Sequence, residues 1–397
     1  MMKLGLVHAR DRKPPESGVT RYGRILAREA SQRSDLQVQE QDLLLSGDQK
    51  RDLQAVRECG RALEGVDLFH VQFSRYLWGT GRVGADLLRE LRGRVESPMV
   101  ITFHDVQPEI YPDQSAFALF QAWFREVRKS GGGLLWSLWR AFRLVQSGQL
   151  KDRSTLHWIA RHAASVIVCT AEEKQRLLPF FDGRPVTVIP HFVEKRELRT
   201  SPAAAKRKLG LEPFKVVILS GFIFPHKGHE VALEALRRLS AEYFLVFAGG
   251  PSVGGENYVN TLQKQARELG LEGRLRITGS LSETELENYL LAADVAICPF
   301  MQMSASGSLS TWLSVGTVPI IASDLPQIQS YNAMVSGAIE VFQTGDGRSL
   351  ADMISKSRPD ASREARLKLR ELLSVERIVE EHARLYQSLL TNVSCTV

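Results

Sequence analysis

Cysteine is scarce in this chain. Cys59, Cys169, Cys298 and Cys395 are the only four in 397 residues, and no two lie close enough for a CxxC or zinc-ligand spacing. A disulfide-built scaffold and a zinc module are both excluded. Cys169 and Cys298 end apolar runs (SVIVC, VAIC) and read as inert core thiols. Long apolar stretches are missing as well. None reaches the ~18 residues of a membrane span. The short run in MMKLGLVHARDRK meets charge too soon for a secretory signal, so the chain is read as starting here, in the cytosol, and the sequon Asn392-Val393-Ser394 as without meaning. No G-x-G-x-x-G follows a strand, which leaves a nicotinamide dinucleotide site without its fingerprint. Charge of one sign is also in short supply. A balance of 51 Lys+Arg against 45 Asp+Glu gives +6, too little for a nucleic-acid footprint. The excess sits in residues 1–190, which hold 28 basic and 22 acidic side chains; the remainder holds 23 of each. Either the surface is evenly solvated or one face of the first half turns toward an anionic membrane or an acidic acceptor.

The rest of the composition is globular, with 44% hydrophobic and 24% charged residues. The length suits two domains of about 150 to 200 residues. Short β-rich apolar runs alternate with helical patterns throughout. In the first half the runs are Lys3–His8, Leu36–Gln41, Asp67–Phe73, Met99–His104, Ser165–Cys169 and Pro185–Pro190, with helix-like segments at Val19–Arg33, Asp52–Leu63 and Gly81–Leu91. In the second they are Val216–Ser220, Phe244–Ala248, Leu275–Thr278, Val295–Pro299, Val318–Ala322 and Ala338–Phe342. Strands apolar on both sides and separated by helices predict α/β architecture with parallel sheets covered on both faces. The rhythm breaks at Ser201–Phe214, a Pro-bounded polar stretch. The expected organisation is two Rossmann-like domains facing a cleft, over 1–195 and 196–374, with a terminal helix over 375–397 packing back toward the first domain. Ser282-Glu283-Thr284-Glu285 has the form of a capping box.

One region departs from the alternation. Residues 106–162 hold consecutive helical patterns without a strand, and Gly133–Gln146 carries an apolar stripe of Leu135, Leu138, Trp139, Phe142 and Val145 with Arg140 and Arg143 off it. Such a helix packs against its own domain or lies at a membrane interface; both readings stand.

The chemistry concentrates in two stretches. ILSGFIFPHKGHEVALE (218–234) reads as a buried strand, a turn carrying Lys227-Gly228, and an amphipathic helix. SASGSLSTWLSVGTVPIIAS (304–323) reads as a small-residue loop entering a helix, then a glycine stop and a strand. A lysine at one helix start and free amides around Ser306, Gly307 and Ser308 at another suit a diphosphate. Read without context, the first is a surface lysine and the second a serine-capped helix. Earlier, Glu16–Gly23 (ESGVTRYG) follows the first strand, and Gly18 lets a ligand approach the backbone. His70 and His104 each end a strand, with Asp105 directly after; a strand-end histidine is either a site residue or a polar cap. His191 ends another strand near the domain junction and reads as structural or cleft-lining.

Taken in order, the Gly18 loop, TFHD (102–105), VIPH (188–191), G-x5-KG (221–228), FAGGP (247–251), ITG (277–279), AADVAICP (292–299) and GTVPIIAS (316–323) resemble a glycosyltransferase of the GT-B fold, close to family GT4. The resemblance spans nearly the whole chain, and its specificity lies in the order of many weak motifs. It implies transfer of a sugar from a nucleotide-sugar donor, a UDP- or GDP-sugar, to a hydroxyl on a glycan or lipid-linked acceptor, with retention and with no cofactor or metal. By the same resemblance His104 and Lys227 are catalytic. Gly18, Lys227, Ser306, Gly307 and Ser308 hold the donor diphosphate, and Gly249, Gly250, Gly279, Leu281 and Thr311 line the nucleotide. Arg21, His70 and Asp105 face the acceptor. A cytoplasmic protein, peripheral at the membrane through 133–146, would fit that role. Two departures stand out. Phe222 occupies a position where the family often has arginine, and Met303 and Thr311 occupy those of its paired glutamates. The alternatives are a GT-B nucleotide-sugar epimerase, for which no paired acid/base carboxylates are evident, and a non-catalytic nucleotide-sugar-binding homologue.

Overall fold

The computed structural model describes residues 1–10, 18–79, 82–106, 155–181, 183–196, 198–252, 255–303, 306–358 and 362–394. Most of the 106–162 insert, including the Trp-containing stripe of 133–146, lies outside the described residues, as do Glu16, Ser17, Ser304, Ala305 and Cys395. The chain divides into two compact units, one of Met1–Pro190 with Glu376–Val397 and one of His191–Val375. The last helix groups with the first unit.

In the first unit six strands form one sheet: β1 (Met2–Arg10), β2 (Leu36–Leu44), β3 (Leu68–Phe73), β4 (Met99–Phe103), β5 (Ser165–Val168) and β6 (Val186–Val188), in the order β2-β1-β3-β4-β5-β6. Every pairing is parallel. The continuous apolar runs explain this. LFHVQF and MVITF are buried at every position, as strands covered on both faces must be. Leu4, Phe69, Val71, Phe73, Ile101 and Phe103 are at most 1% exposed, and each such side chain contributes about 1.5–3 kcal/mol.

The second unit repeats the plan with β7 (Lys215–Ser220), β8 (Tyr243–Ala248), β9 (Leu275–Ile277), β10 (Val295–Cys298), β11 (Ile320–Ser323) and β12 (Glu340–Phe342), in the order β12-β11-β10-β7-β8-β9. From β7 the chain moves outward through β8 and β9, then returns to β7's other side at β10. The crossovers on either side of that reversal leave a crevice beyond the carboxyl ends of β7 and β10, where ligands bind in such sheets. The first sheet reverses in the same way between β1 and β3. Ser282 and Glu285 form the expected capping box on the helix Glu283–Ala292. The thiols of Cys59, Cys169 and Cys298 are buried, and burial pushes all three well up, Cys59 and Cys298 to about 12.

Candidate functional site

At the reversal in the second sheet, the loop after β7 and the loop after β10 are laced together. Gly221 follows β7 with φ of 107°, a backbone that side chains other than glycine rarely adopt. A Cβ there would stand 2.4 Å from Ser308 Oγ and 3.6 Å from Lys227 Nζ. The chain then makes a single 3-10 turn, Pro225–Lys227, and stops at Gly228 with φ of 74°. Gly228 packs so tightly on the β10 loop that a Cβ would lie 1.8 Å from the Pro299 carbonyl. The amide of Met301 donates to the His226 carbonyl at 2.9 Å, closing the seam. Lys227 is thereby aimed at the start of the helix Gly307–Val315, and its Nζ donates to Ser308 Oγ at 2.6 Å. It also stands 4.4 Å from the centre of the Phe300 ring. Ser306 caps that helix by accepting from the Leu309 amide at 3.3 Å, which leaves the first-turn amides of Gly307 and Ser308 facing outward from the helix start.

This arrangement suits an anion. Desolvation lowers Lys227 from 10.5 to about 8, and no carboxylate among the described residues pairs with it. The positive end of a helix dipole points at the same place. Two like charges brought together in a partly dry site are stabilised by a ligand carrying negative charge.

The nucleotide candidates collect alongside. The Gly249 amide donates to Thr278 Oγ1 at 3.0 Å, and that hydroxyl donates to the Gly279 carbonyl at 2.7 Å, tying the β8 and β9 loops together. Gly249 lies against the Gly221 carbonyl and Gly250 against Ser280, where Cβ atoms would come within 2.0 and 2.5 Å. Space beside Gly279 is open. Leu281 is partly exposed next to it, and Thr311 sits one turn into the helix Gly307–Val315. Met303 is buried at 7% exposure. His191 approaches the same helix, 3.5 Å from Ser310 Oγ, and burial lowers it to about 4, so it is neutral there.

In the first unit Gly18 opens the helix Gly18–Ala30 after β1, exposed and with open space around it; Arg21 follows in its first turn. Tyr22 of that helix meets His104 edge-on, ring centres 4.9 Å apart. His104 lies just past β4, its amide bonded to the Phe73 carbonyl and its Nε2 2.8 Å from Gln72 Oε1. Asp105 accepts from the Arg75 amide at 2.7 Å and from Ser74 Oγ at 3.4 Å, so it braces the loop after β3. His70 stands apart from the other candidates. It is fully buried, with Thr102 Oγ1 at 2.7 Å and Tyr386 Oη at 2.6 Å, and burial holds its pKa well below 6.5. Its contacts are those of a core polar network rather than of a surface open to an acceptor.

Residues 203–368 match the family described as glycosyl transferases group 1. That match covers most of the second unit. The curated relatives include a D-inositol 3-phosphate glycosyltransferase of Streptomyces scabiei, 28% identical over 187 residues that make up 42% of this chain and 42% of that protein. Another is a GDP-mannose-dependent alpha-(1-6)-phosphatidylinositol monomannoside mannosyltransferase of Mycobacterium tuberculosis, 27% identical over 44% of this chain and 47% of that protein. The chain spans less than half the length of these relatives in the matched region. Among solved structures, Anabaena HepE in complex with UDP and glucose is 17% identical, covering 98% of this chain and 100% of its own, with a TM-score of 0.69. Sucrose-phosphate synthase from Thermosynechococcus elongatus is likewise 17% identical, covering 99% of this chain and 100% of its own, with a TM-score of 0.70. These likenesses establish a GT-B fold. The sequence reading passed over Gly221 and Phe300 as site residues. Gly221 was within reach as the first glycine of G-x5-KG, but nothing local marks Phe300, which reaches Lys227 only through the pairing of β7 with β10.

Proposed function

We propose that this protein transfers a sugar from a nucleotide-sugar donor to a hydroxyl of a glycan or lipid-linked acceptor, with retention of anomeric configuration. The observation that carries the reading is the Lys227–Ser308 pair: a partly buried cation with no carboxylate partner among the described residues, held at a helix start among glycines that bring backbone amides close. A nucleoside diphosphate supplies the missing negative charge, and its oxygens find Lys227 and the Gly307 and Ser308 amides. As the bond from sugar to diphosphate breaks, charge grows on the diphosphate, and the same preorganised donors stabilise it. The Gly249-Gly250 and Gly279–Leu281 loops would line the nucleoside. The first unit would supply His104, Arg21 and Asp105 toward the acceptor.

The relatives' names support the donor class: one is GDP-mannose-dependent and a structural neighbour was solved with UDP and glucose. They name transferases, and neither an epimerase nor a non-catalytic binder is favoured by them. UDP- and GDP-sugars are therefore the first donors to test, for a protein acting in the cytoplasm or peripherally at a membrane. No helix among the described residues is long and apolar enough to cross a membrane.

The test is a thermal-shift and donor-hydrolysis screen with UDP-, GDP-, ADP- and dTDP-sugars. One nucleotide class should stabilise the protein and be slowly released from its sugar. Lys227→Ala should keep the fold, lose the shift and lower turnover at least ~10-fold. An unchanged Lys227→Ala would remove that lysine from the site.

A further inference from the structure

A lysine side chain is long, flexible and strongly hydrated at its head, so an ammonium with no carboxylate partner normally extends into water. Lys227 is held instead. Its Nζ donates to one hydroxyl, Ser308 Oγ at 2.6 Å, and lies over the face of the Phe300 ring, 4.4 Å from its centre. The Phe224 ring stands further off, at 5.9 Å. Phe300 is 2% exposed, and the residues on both sides of it fix its place. The Pro299 carbonyl is pressed against Gly228, where a Cβ would stand 1.8 Å away, and the Met301 amide donates to the His226 carbonyl at 2.9 Å. Two backbone contacts to the turn that carries Lys227 thus flank the residue whose ring receives its head. The titratable groups around the ammonium are Cys298 at the end of β10, His229 at the start of the following helix, and His226 of its own turn; the helix Gly307–Val315 brings none. Burial pushes Cys298 up to about 12 and His229 down to about 3, so both are uncharged at neutral pH.

We propose that Phe300 is a positioning residue: its ring is the seat that holds the Lys227 ammonium at the helix start, in place of a carboxylate, and so keeps the charge available to a nucleoside diphosphate. The role rests on the diphosphate reading of Lys227. A carboxylate would hold the lysine more firmly, but it would also neutralise it and repel the incoming phosphates. The face of an aromatic ring attracts a cation through its quadrupole and carries no net charge, so it orders the ammonium without cancelling it. The ring also acts on protonation. Burial lowers Lys227 to about 8, and the ring, which favours the charged form, opposes that fall. An aliphatic side chain of similar size keeps the burial and removes the opposition, so the lysine then loses its proton at a lower pH.

The test reads the lysine first and the ligand second. Spectra of the full-length protein with carbon-13 at lysine Cε, assigned with Lys227→Ala, report both the ring and the titration of the amine. In the wild type the Lys227 Cε protons should lie upfield of those of other lysines, since the adjoining Nζ sits over a ring face. Phe300→Leu should abolish that shift and lower the titration midpoint by about half a unit or more. Phe300→Tyr, which keeps the ring, should keep both. In calorimetry, UDP or GDP, whichever binds the wild type, should bind Phe300→Leu about 3-fold or more weakly at pH 8.5, where the extra loss of charge tells, with a smaller loss at pH 6.5. Phe300→Tyr should recover the affinity. A defect of packing alone would weaken binding equally at the two pH values and leave the Lys227 midpoint unmoved, which counts against the proposal. If Phe300→Leu does not fold, the wild-type ring shift and the Phe300→Tyr profile decide. A wild-type Lys227 without the ring shift, or a folded Phe300→Leu with the wild-type midpoint and affinity, overturns the proposal. A wild type that shows the ring shift but binds neither nucleotide leaves the seat in place and sinks the diphosphate reading instead.

Discussion

Lys227 shows how much a single side chain's chemistry depends on what surrounds it. In sequence it is a lysine before a glycine. In the fold it is a cation drawn out of water, lowered to about 8, with Ser308 Oγ as its hydrogen-bond partner. A bound diphosphate favours the charged form and must raise that value. Below about pH 7 the lysine is charged with or without ligand, so binding takes up no proton on its account. At about pH 8.5 a substantial part is neutral in the free protein, so nucleotide binding should take up a proton and weaken as pH rises further. Calorimetry of UDP or GDP binding in buffers of different ionisation enthalpy measures the uptake. Its absence at pH 8.5, or its survival in Lys227→Ala, would speak against Lys227 as the phosphate ligand.

At the scale of elements, the site depends on how closely two loops approach. Gly228 combines a φ of 74° with a carbonyl 1.8 Å from where a Cβ would be. Gly228→Ala should therefore cost more than the ~1–2 kcal/mol of a left-handed alanine, since the β10 loop must also move. Nucleotide binding should be lost along with several degrees of melting temperature; full binding would mean that the seam yields cheaply. In the other unit, Thr170 and Glu173 form a capping box that the reading of TAEE did not single out. Glu173 Oε2 accepts from the Thr170 and Cys169 amides at 3.0 and 2.8 Å, and Thr170 Oγ1 accepts from the Glu173 amide at 3.2 Å. Glu173 is fully buried, and desolvation raises it from 4.5 to about 7. Its folded pKa lies above its unfolded one, so its contribution to stability is complete below about pH 4.5 and is lost as pH rises through about 7. Glu173→Gln keeps an acceptor without the titration. It should flatten the fall in melting temperature between pH 5 and pH 8; an unchanged pH slope would refute the assignment.

The whole molecule is two units of the same plan, and the chain's end belongs with its beginning. Tyr386 and His382 of the terminal helix are both 1% exposed and pack on His70 of β3, ring centres 5.7 and 5.6 Å away. Truncation after Val375 would strip that cover from the first unit and leave His70 without its Tyr386 partner. The truncated chain should show a melting transition for the first unit lowered by many degrees or absent, with that of 191–375 little changed. Tyr386→Phe, which removes the hydroxyl 2.6 Å from the buried His70 Nδ1, should cost about 1–3 kcal/mol. A truncation that leaves both transitions in place would show that the helix is an ornament to the fold.

Much of this architecture was written in local pattern. Strands such as β3, β4, β8 and β10 follow from apolar runs a few residues long, because a strand buried on both faces has no place for charge, whereas the edge strand β2 carries Glu40 and Asp42. The Ser282 capping box and the Lys227-Gly228 turn are equally local, each set by side chains within a few residues of the backbone they bond. What sequence alone could not decide are the relations between distant segments. Lys227 and Ser308 are 81 residues apart and meet only because β10 returns beside β7. Gln72 and His104, 32 residues apart, face one another because β3 and β4 pair in a register that sets Gln72 opposite Thr102. His70, read from the sequence as ending a strand, lies inside β3 and is enclosed by a helix more than 300 residues later. Strand existence is a matter of hydrophobic burial, which a short window of sequence expresses. Strand order and register come from the packing of the whole chain, and they decide which polar groups meet, which lose water, and so which have chemistry to do.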